Sequence, residues 1–190
     1  MTASAAPAEA RRESFGREGS RAGAARRPWM AAAARAGGAA AAPRKLVLVA
    51  PTALLDASGR VLLASRPPGK ALAGTFEFPG GKVEVGEAPE EALARELEEE
   101  LAVRVSPEAF TPLTFASHNY AAAEGRPAFH LLMPLFTCTQ WEGEPRGVEG
   151  QELRWVTPAD LESGTIPMPP ADEPLLAPVL RAMRGAARRM

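Results

Sequence analysis

The sequence predicts an α/β sandwich built around a mixed sheet, and three observations predict it. From Lys45 onward six apolar, β-tending segments are accompanied by only two long helical ones. Several links between consecutive strand segments are short enough for hairpins, which excludes an all-parallel sheet. A chain of 190 residues can bury one medium core and is short for two domains.

The first strand segment, KLVLVAPTALL, and the second, RVLLASR, flank the turn signature DASG and read together as a hairpin. GTFEFPGGKV reads as a short strand broken by Pro79, Gly80 and Gly81. APEEALARELEEEL then forms a helix opened by Pro89, which is accepted there because the first helical N–H has no partner to lose. LTFASHNY, AFHLLMPLFTCTQW and QELRWV are the later strands. AFHLLMPLFTC is apolar enough for burial on both faces, and the EGRP before it supplies a turn. TPADLESG reads as one short helical turn, and ADEPLLAPVLRAMRGAARRM has helical spacing at Leu175, Val179 and Met183 before a basic end.

Residues 1–44 differ in kind, being rich in Ala, Arg and Gly with almost no large apolar side chains. Such a segment cannot offset the entropy of ordering, so it is expected to be a disordered extension, with the folded domain spanning 45–190. A targeting peptide is the alternative, although no secretory apolar core is present, and Met30 offers an internal start.

The net charge of −1 hides an asymmetry: the first 45 residues carry six excess positives, the last ten four, and the stretch between eleven excess negatives. An acidic centre is no surface for a nucleic-acid polymer, and it needs cations to handle phosphates. The single cysteine, Cys138, excludes an internal disulfide and a Cys-rich zinc site and fits a reducing compartment such as the cytoplasm. No apolar run approaches the roughly 20 residues that span a bilayer.

The acidic helix carries the chemistry. At roughly 100° per residue, Leu93, Leu97 and Leu101 form a core stripe. Glu96, Glu99 and Glu100 fall about a quarter turn away, while Glu91 and Glu98 point elsewhere. A solvated acidic face is one reading of such a run. The Gly80–Gly81 loop upstream favours another, because glycines admit close backbone approach and expose carbonyls beside hard oxygen donors suited to Mg²⁺ or Mn²⁺. His118 and His130 lie in strand-like runs without a paired nucleophile and read as structural; Cys138 reads as buried and inert. Trp141 and Trp155 could serve either the core or a pocket wall.

Gly81, five residues, Glu87, seven residues, then Arg95-Glu96-Leu97, one residue, and Glu99-Glu100 resemble the Nudix box, in which seven positions must agree in type and spacing. The box normally closes with glycine before an aliphatic residue; here Ala102 precedes Val103. The resemblance extends over Lys45 to about Arg184 and is greatest to the MutT-type 8-oxo-dGTP diphosphatases. It implies an α/β/α sandwich with the mixed sheet between helices and Mg²⁺-dependent hydrolysis of a small-molecule nucleoside triphosphate by a cytoplasmic monomer. It further implies that Glu96, Glu99 and Glu100 bind metal or activate water, that Arg95 holds a glutamate, and that Gly80 offers its carbonyl to metal. In WEGEPRGVEGQ, Glu149 matches a glutamate that completes the metal site. By the same resemblance EFPGGK implies that Glu77, Phe78, Pro79, Gly80 and Lys82 meet the substrate. Arg66 matches an arginine on the purine or its phosphate, and Asp172 stands where a base-reading asparagine is found. Ala71 takes the place of a histidine sometimes used there. Each has a structural alternative: Phe78 in the core, Arg66 in a surface ion pair, Glu149 as a solvated acid, Asp172 as a helix N-cap. Related pyrimidine enzymes also carry aspartate at the last position, so CTP or methylated dCTP stays open as substrate, as does a catalytically silent nucleotide-binding module.

Deleting the chain up to Pro43 is expected to leave catalysis nearly unchanged, since that segment offers neither core nor site residue. Steady-state kinetics of the truncated protein check this, and a large rise in KM would make the arginines part of substrate capture.

Overall fold

The computed structural model describes residues 44–123 and 125–187. The disorder expected for residues 1–44 concerns, Arg44 apart, residues outside these limits. The order is β1 (Lys45–Leu54), β2 (Val61–Ser65), β3 (Phe76–Glu77), β4 (Gly80–Lys82), α1 (Pro89–Leu101), β5 (Thr111–Tyr120), β6 (Phe129–Cys138), β7 (Leu153–Val156), α2 (Pro158–Glu162) and α3 (Glu173–Ala187). One 3₁₀ turn, Pro107–Ala109, leads into β5.

The strands form a four-stranded sheet, β4-β1-β6-β5, and a three-stranded one, β3-β2-β7. The larger sheet is mixed: β1 runs parallel to β6 and antiparallel to β4, and β5 is antiparallel to β6. The smaller is antiparallel throughout. The expected β1–β2 hairpin is therefore corrected. Its turn is present, with Asp56 Oδ1 accepting from the Ser58 and Arg60 N–H groups, but pairing stops at a single Leu55–Val61 bridge. Beyond it β1 pairs with β6 and β4, and β2 with β3 and β7. Tertiary partners outcompete the local one. The broken strand at GTFEFPGGKV likewise becomes two short strands in different sheets.

Alternating residues of the same strands feed two cores. Ala53, Val61, Leu63, Leu131, Met133 and Leu135 pack with Leu175, Val179 and Met183 of α3. Ala50, Leu54, Leu62, Phe136 and Cys138 pack with Leu93, Leu97 and Leu101 of α1. These three leucines are fully buried. At about 2 kcal/mol each, their burial far exceeds the few tenths that each i,i+4 glutamate repulsion costs the helix.

Ala102 ends α1 in the left-handed region, at φ 55° and ψ 31°, with its N–H on the Glu98 carbonyl (3.1 Å). Glycine normally takes this position because a Cβ crowds the following carbonyl. Ala102→Gly is expected to raise the unfolding free energy by up to about 1 kcal/mol, part of the cost of that geometry being offset by the freer unfolded chain. Urea denaturation checks it; a lowered midpoint would show that the turn does not need glycine.

Candidate active site

The side chain that organises the glutamates of α1 is Arg95. Its Nε donates to Glu87 Oε1 (2.8 Å) and its Nη2 to Glu87 Oε2 (3.0 Å), a two-pronged grip on the loop before the helix. Nη2 also donates to the Lys82 carbonyl (3.1 Å), and Nη1 reaches Glu96 Oε1 (3.0 Å) and Glu99 Oε2 (3.4 Å). One guanidinium thus joins β4, loop and helix. Its hydrogen bonds, with the Glu84 N–H, hold the Glu87 carboxyl down to about 2.

The two glycines that open β4 sit where the chain approaches itself closely. A Cβ on Gly81 would overlap the Glu96 carboxylate, and one on Gly80, at φ 144°, would strike the Ala50 carbonyl of β1. Glycine is what lets Glu96 lie directly on β4.

Glu100 is half-buried, and its carboxyl is pushed up to about 7, first by burial and then by the negative charges of Glu96 and Glu149. Glu149 arrives from far along the chain because its loop binds the carbonyls left open at the end of α1. The Val148 N–H donates to the Glu100 carbonyl and the Arg146 N–H to the Leu101 carbonyl, both at 3.0 Å. Buried Gln151 donates from Nε2 to the Glu100 carbonyl (2.8 Å) and accepts the Glu149 N–H on Oε1 (2.8 Å). The Glu149 carboxylate meets Lys70 Nζ at 2.8 Å. Among the described residues no three His, Cys, Asp or Glu side chains are gathered into a ready-made metal cage. Glu96 and Glu99 turn toward Arg95, and Glu149 toward Lys70. Glu98 pairs with Arg104 (3.0 Å), and Glu91 bonds the Ala88 N–H (2.7 Å), both apart from the cluster.

Beside the glutamates lies a cleft of ≈ 470 Å³ lined by, among others, Arg66, Glu77, Lys82, Tyr120, Phe129 and Asp172. Arg66 pairs with Glu77 and donates from Nε to the Ala71 carbonyl (2.7 Å). Burial raises the Glu77 carboxyl, and Arg66 pulls it back. Asp172 is only 4% exposed. Its carboxyl is pushed up to about 7 by burial and by the charge of Glu77, against a hydrogen bond from the Phe78 backbone and the charge of Arg66. At the start of α3 the Leu175 N–H takes the Asp172 carbonyl (2.9 Å), while the Asp172 carboxyl takes the Phe78 backbone and not a first-turn N–H of the helix. Phe78 and Pro79 are buried and do not line the cleft; what Phe78 presents to Asp172 is its backbone.

Stacked Tyr120 and Phe129, with ring centroids 4.9 Å apart, form an aromatic wall, and Arg126 stands at the rim. Sequence reading missed this wall together with Lys70 and Gln151. Apart from the EGRP turn before Phe129 no local pattern marks them, because the cleft joins β1, β5, β6 and the turn before α3. His130 Nε2 contacts Ser117 Oγ (2.8 Å) and His118 packs edge-on to Tyr120, so neither has a carboxylate partner of catalytic type. Burial raises the Cys138 thiol. Trp141 and Trp155 stack on one another against the α1-side core.

Comparison with known proteins agrees with this arrangement. The chain is similar to the 8-oxo-dGTP diphosphatase of Escherichia coli K12, at 32% identity over 72% of this chain and 98% of that one. It is 39% identical to the CTP pyrophosphohydrolase of the same organism, over 70% and 93% of the two chains. The crystal structure of the MutT NUDIX hydrolase from Burkholderia pseudomallei superposes with a TM-score of 0.58 at 32% identity, covering 72% of this chain and 99% of that one. Residues 45–182 match the NUDIX domain. With the box residues clustered by Arg95 and the mixed sheet set between helices, the chain belongs to the Nudix hydrolase family.

Proposed function

We propose that the protein is a Mg²⁺-dependent nucleoside triphosphate diphosphatase that hydrolyses 8-oxo-dGTP, or another damaged or non-standard nucleotide, to the monophosphate and pyrophosphate, sanitising a cytoplasmic nucleotide pool. The observation that carries this reading is Asp172, buried at the floor of a cleft with an aromatic wall and poised to hold or release a proton near neutrality. A neutral acid offers a donor and an acceptor, as an amide does, and so can read adjacent atoms on an oxidised purine edge. Similarity to an 8-oxo-dGTP diphosphatase supports the same substrate.

The donor set fits a hard divalent cation, Mg²⁺ or Mn²⁺. The residues to hold it are Glu96, Glu99, Glu100 and Glu149 with the Gly80 carbonyl, all oxygen donors; burial first, and then the charges of Glu96 and Glu149, raise Glu100. When bound, the cation supplies neutralisation of phosphate charge and a more acidic water for in-line attack. Arg95 keeps Glu96 and Glu99 oriented, and a glutamate of this cluster takes the proton of the attacking water. Glu77 and Lys82 connect this end to the base cleft. A pyrimidine triphosphate such as CTP is the second reading, favoured by the 39% identity to a CTP pyrophosphohydrolase and by the ability of an ionised Asp172 to accept from a cytosine amine.

Glu100→Gln is expected to abolish turnover with the fold intact, because it removes charge but almost no volume, whereas Glu98→Gln leaves activity at the wild-type level. Pyrophosphate release with and without Mg²⁺ measures both; comparable activity in the two variants would return the glutamates to a solvated face.

Competition among 8-oxo-dGTP, dGTP and CTP tests the substrate, with 8-oxo-dGTP expected to win; preference for CTP overturns the assignment. Asp172→Asn is expected to shift the kcat/KM ratios by roughly five- to 150-fold, the effect of about 1–3 kcal/mol, while sparing the Mg²⁺ dependence. In the wild type these ratios change as pH rises through about 7 and Asp172 loses its proton; in the variant they stay flat. Stability follows the same sign. Since the folded-state value is raised from 3.8, the contribution of Asp172 is full below about 4 and is lost as pH rises through about 7. Thermal melts of the variant should show a smaller decline, the part carried by Glu100 remaining.

A further inference from the structure

The cations around the site are not equally committed. Arg95 is spread over Glu87, Glu96, Glu99 and the Lys82 carbonyl, and Arg66 over Glu77 and the Ala71 carbonyl. Lys82 belongs to the base cleft. Lys70 differs from all three. Among the described residues its one charged contact is Glu149, at 2.8 Å, and the two side chains are 51% and 48% exposed. Arg66, Ala71 and Leu72 of its own loop line the cleft and its partner Glu149 belongs to the glutamate cluster, which places Lys70 between the two.

The loop that carries Lys70 is closed without it. The Arg66 N–H donates to the Thr75 carbonyl (2.8 Å), the Gly74 N–H to the Arg66 carbonyl (3.2 Å), and the Lys70 N–H to the Pro67 carbonyl (3.3 Å). The side chain is therefore free to change partner while the backbone stays in place. An exposed lysine–glutamate pair is weak, and an ammonium gains more from a multiply charged phosphate than from a single screened carboxylate. Glu149, in turn, is a donor the cation site needs.

The geometry points to Lys70 as a triphosphate-binding residue that is stored on Glu149 in the free protein and passes to the substrate's phosphates as Glu149 turns to the metal. This rests on the diphosphatase reading above. The pair then does two things: it masks the Glu149 carboxylate while the site is empty, and it delivers a positive charge to an otherwise acidic centre at the moment a polyanion enters. Removing Lys70 must consequently move two affinities in opposite directions. A lysine that merely braced the loop would not.

The experiment uses the full chain and two probes. Mn²⁺ binding to the free protein is measured by electron paramagnetic resonance. Binding of the α,β-imido analogue of dGTP in saturating Mg²⁺ is measured by calorimetry. Lys70→Met is expected to bind Mn²⁺ about threefold more tightly, as an exposed ion-pair competitor is removed. It is expected to bind the analogue about tenfold more weakly, as a charge-assisted contact is lost. Lys70→Arg should restore the analogue affinity. Lys70→Gln gives the same comparison where methionine perturbs folding, which thermal melts report. Any outcome other than shifts of opposite sign overturns the exchange. Failure of the wild-type protein to bind both probes overturns the diphosphatase reading, and the exchange with it.

Discussion

The grip of Arg95 on Glu87 and Glu96 is the contact on which the site depends. Without it three pieces of chain have no common partner: the loop after β4, the β4 carbonyl at Lys82, and the acidic flank of α1. Its two-pronged geometry on Glu87 is one that an ammonium could not reproduce. Gly81 has no side chain, which leaves the Glu96 carboxylate room to rest against the strand beside Arg95. Arginine and glycine are in this sense one device, separated in sequence and joined in space.

Around that device the protein balances charge. Burial of Leu93, Leu97 and Leu101 secures α1 strongly enough to carry glutamates whose mutual repulsion an isolated helix would resist. The repulsion is then concentrated in Glu100, which burial and its neighbours hold near 7. At the other end of the cleft, burial and Glu77 do the same to Asp172. Two carboxyls with shifted affinity for protons thus mark the site, Glu100 among the candidate metal donors and Asp172 in the lining of the cleft. Perturbed groups of this kind cluster at functional sites.

The two-sheet arrangement brings these ends together. β1 lies between β4 and β6, so that it meets Gly80 through Ala50 and the cleft through Val47 and Val49. The divergence of β1 and β2 after a hairpin-like turn sends β3 and β4 to different sheets, and Glu77 and Lys82 consequently reach the cleft from either side of Pro79. The loop at Glu149 then closes the structure by satisfying open carbonyls of α1, which ties a distant carboxylate to Glu100.

What the sequence determined by itself follows from periodicity and spacing. The leucine stripe of α1, the separation of Glu98 and Glu91 from Glu96, Glu99 and Glu100, and the strand segments are local consequences of residue order, since helical and extended chains have fixed repeats. Turn residues at Asp56 and the proline at Pro89 set local geometry in the same way. What only the tertiary structure decided is pairing and environment. Nothing local makes β1 prefer β6 over β2, because strand pairing is settled by which partner buries more apolar surface. Nor does any local pattern mark Lys70 as the partner of Glu149, Gln151 as the clasp on α1, or Phe78 as a core residue whose backbone serves Asp172. The proton affinity of Asp172 is likewise a property of burial and of Glu77, and both exist only once the chain has folded.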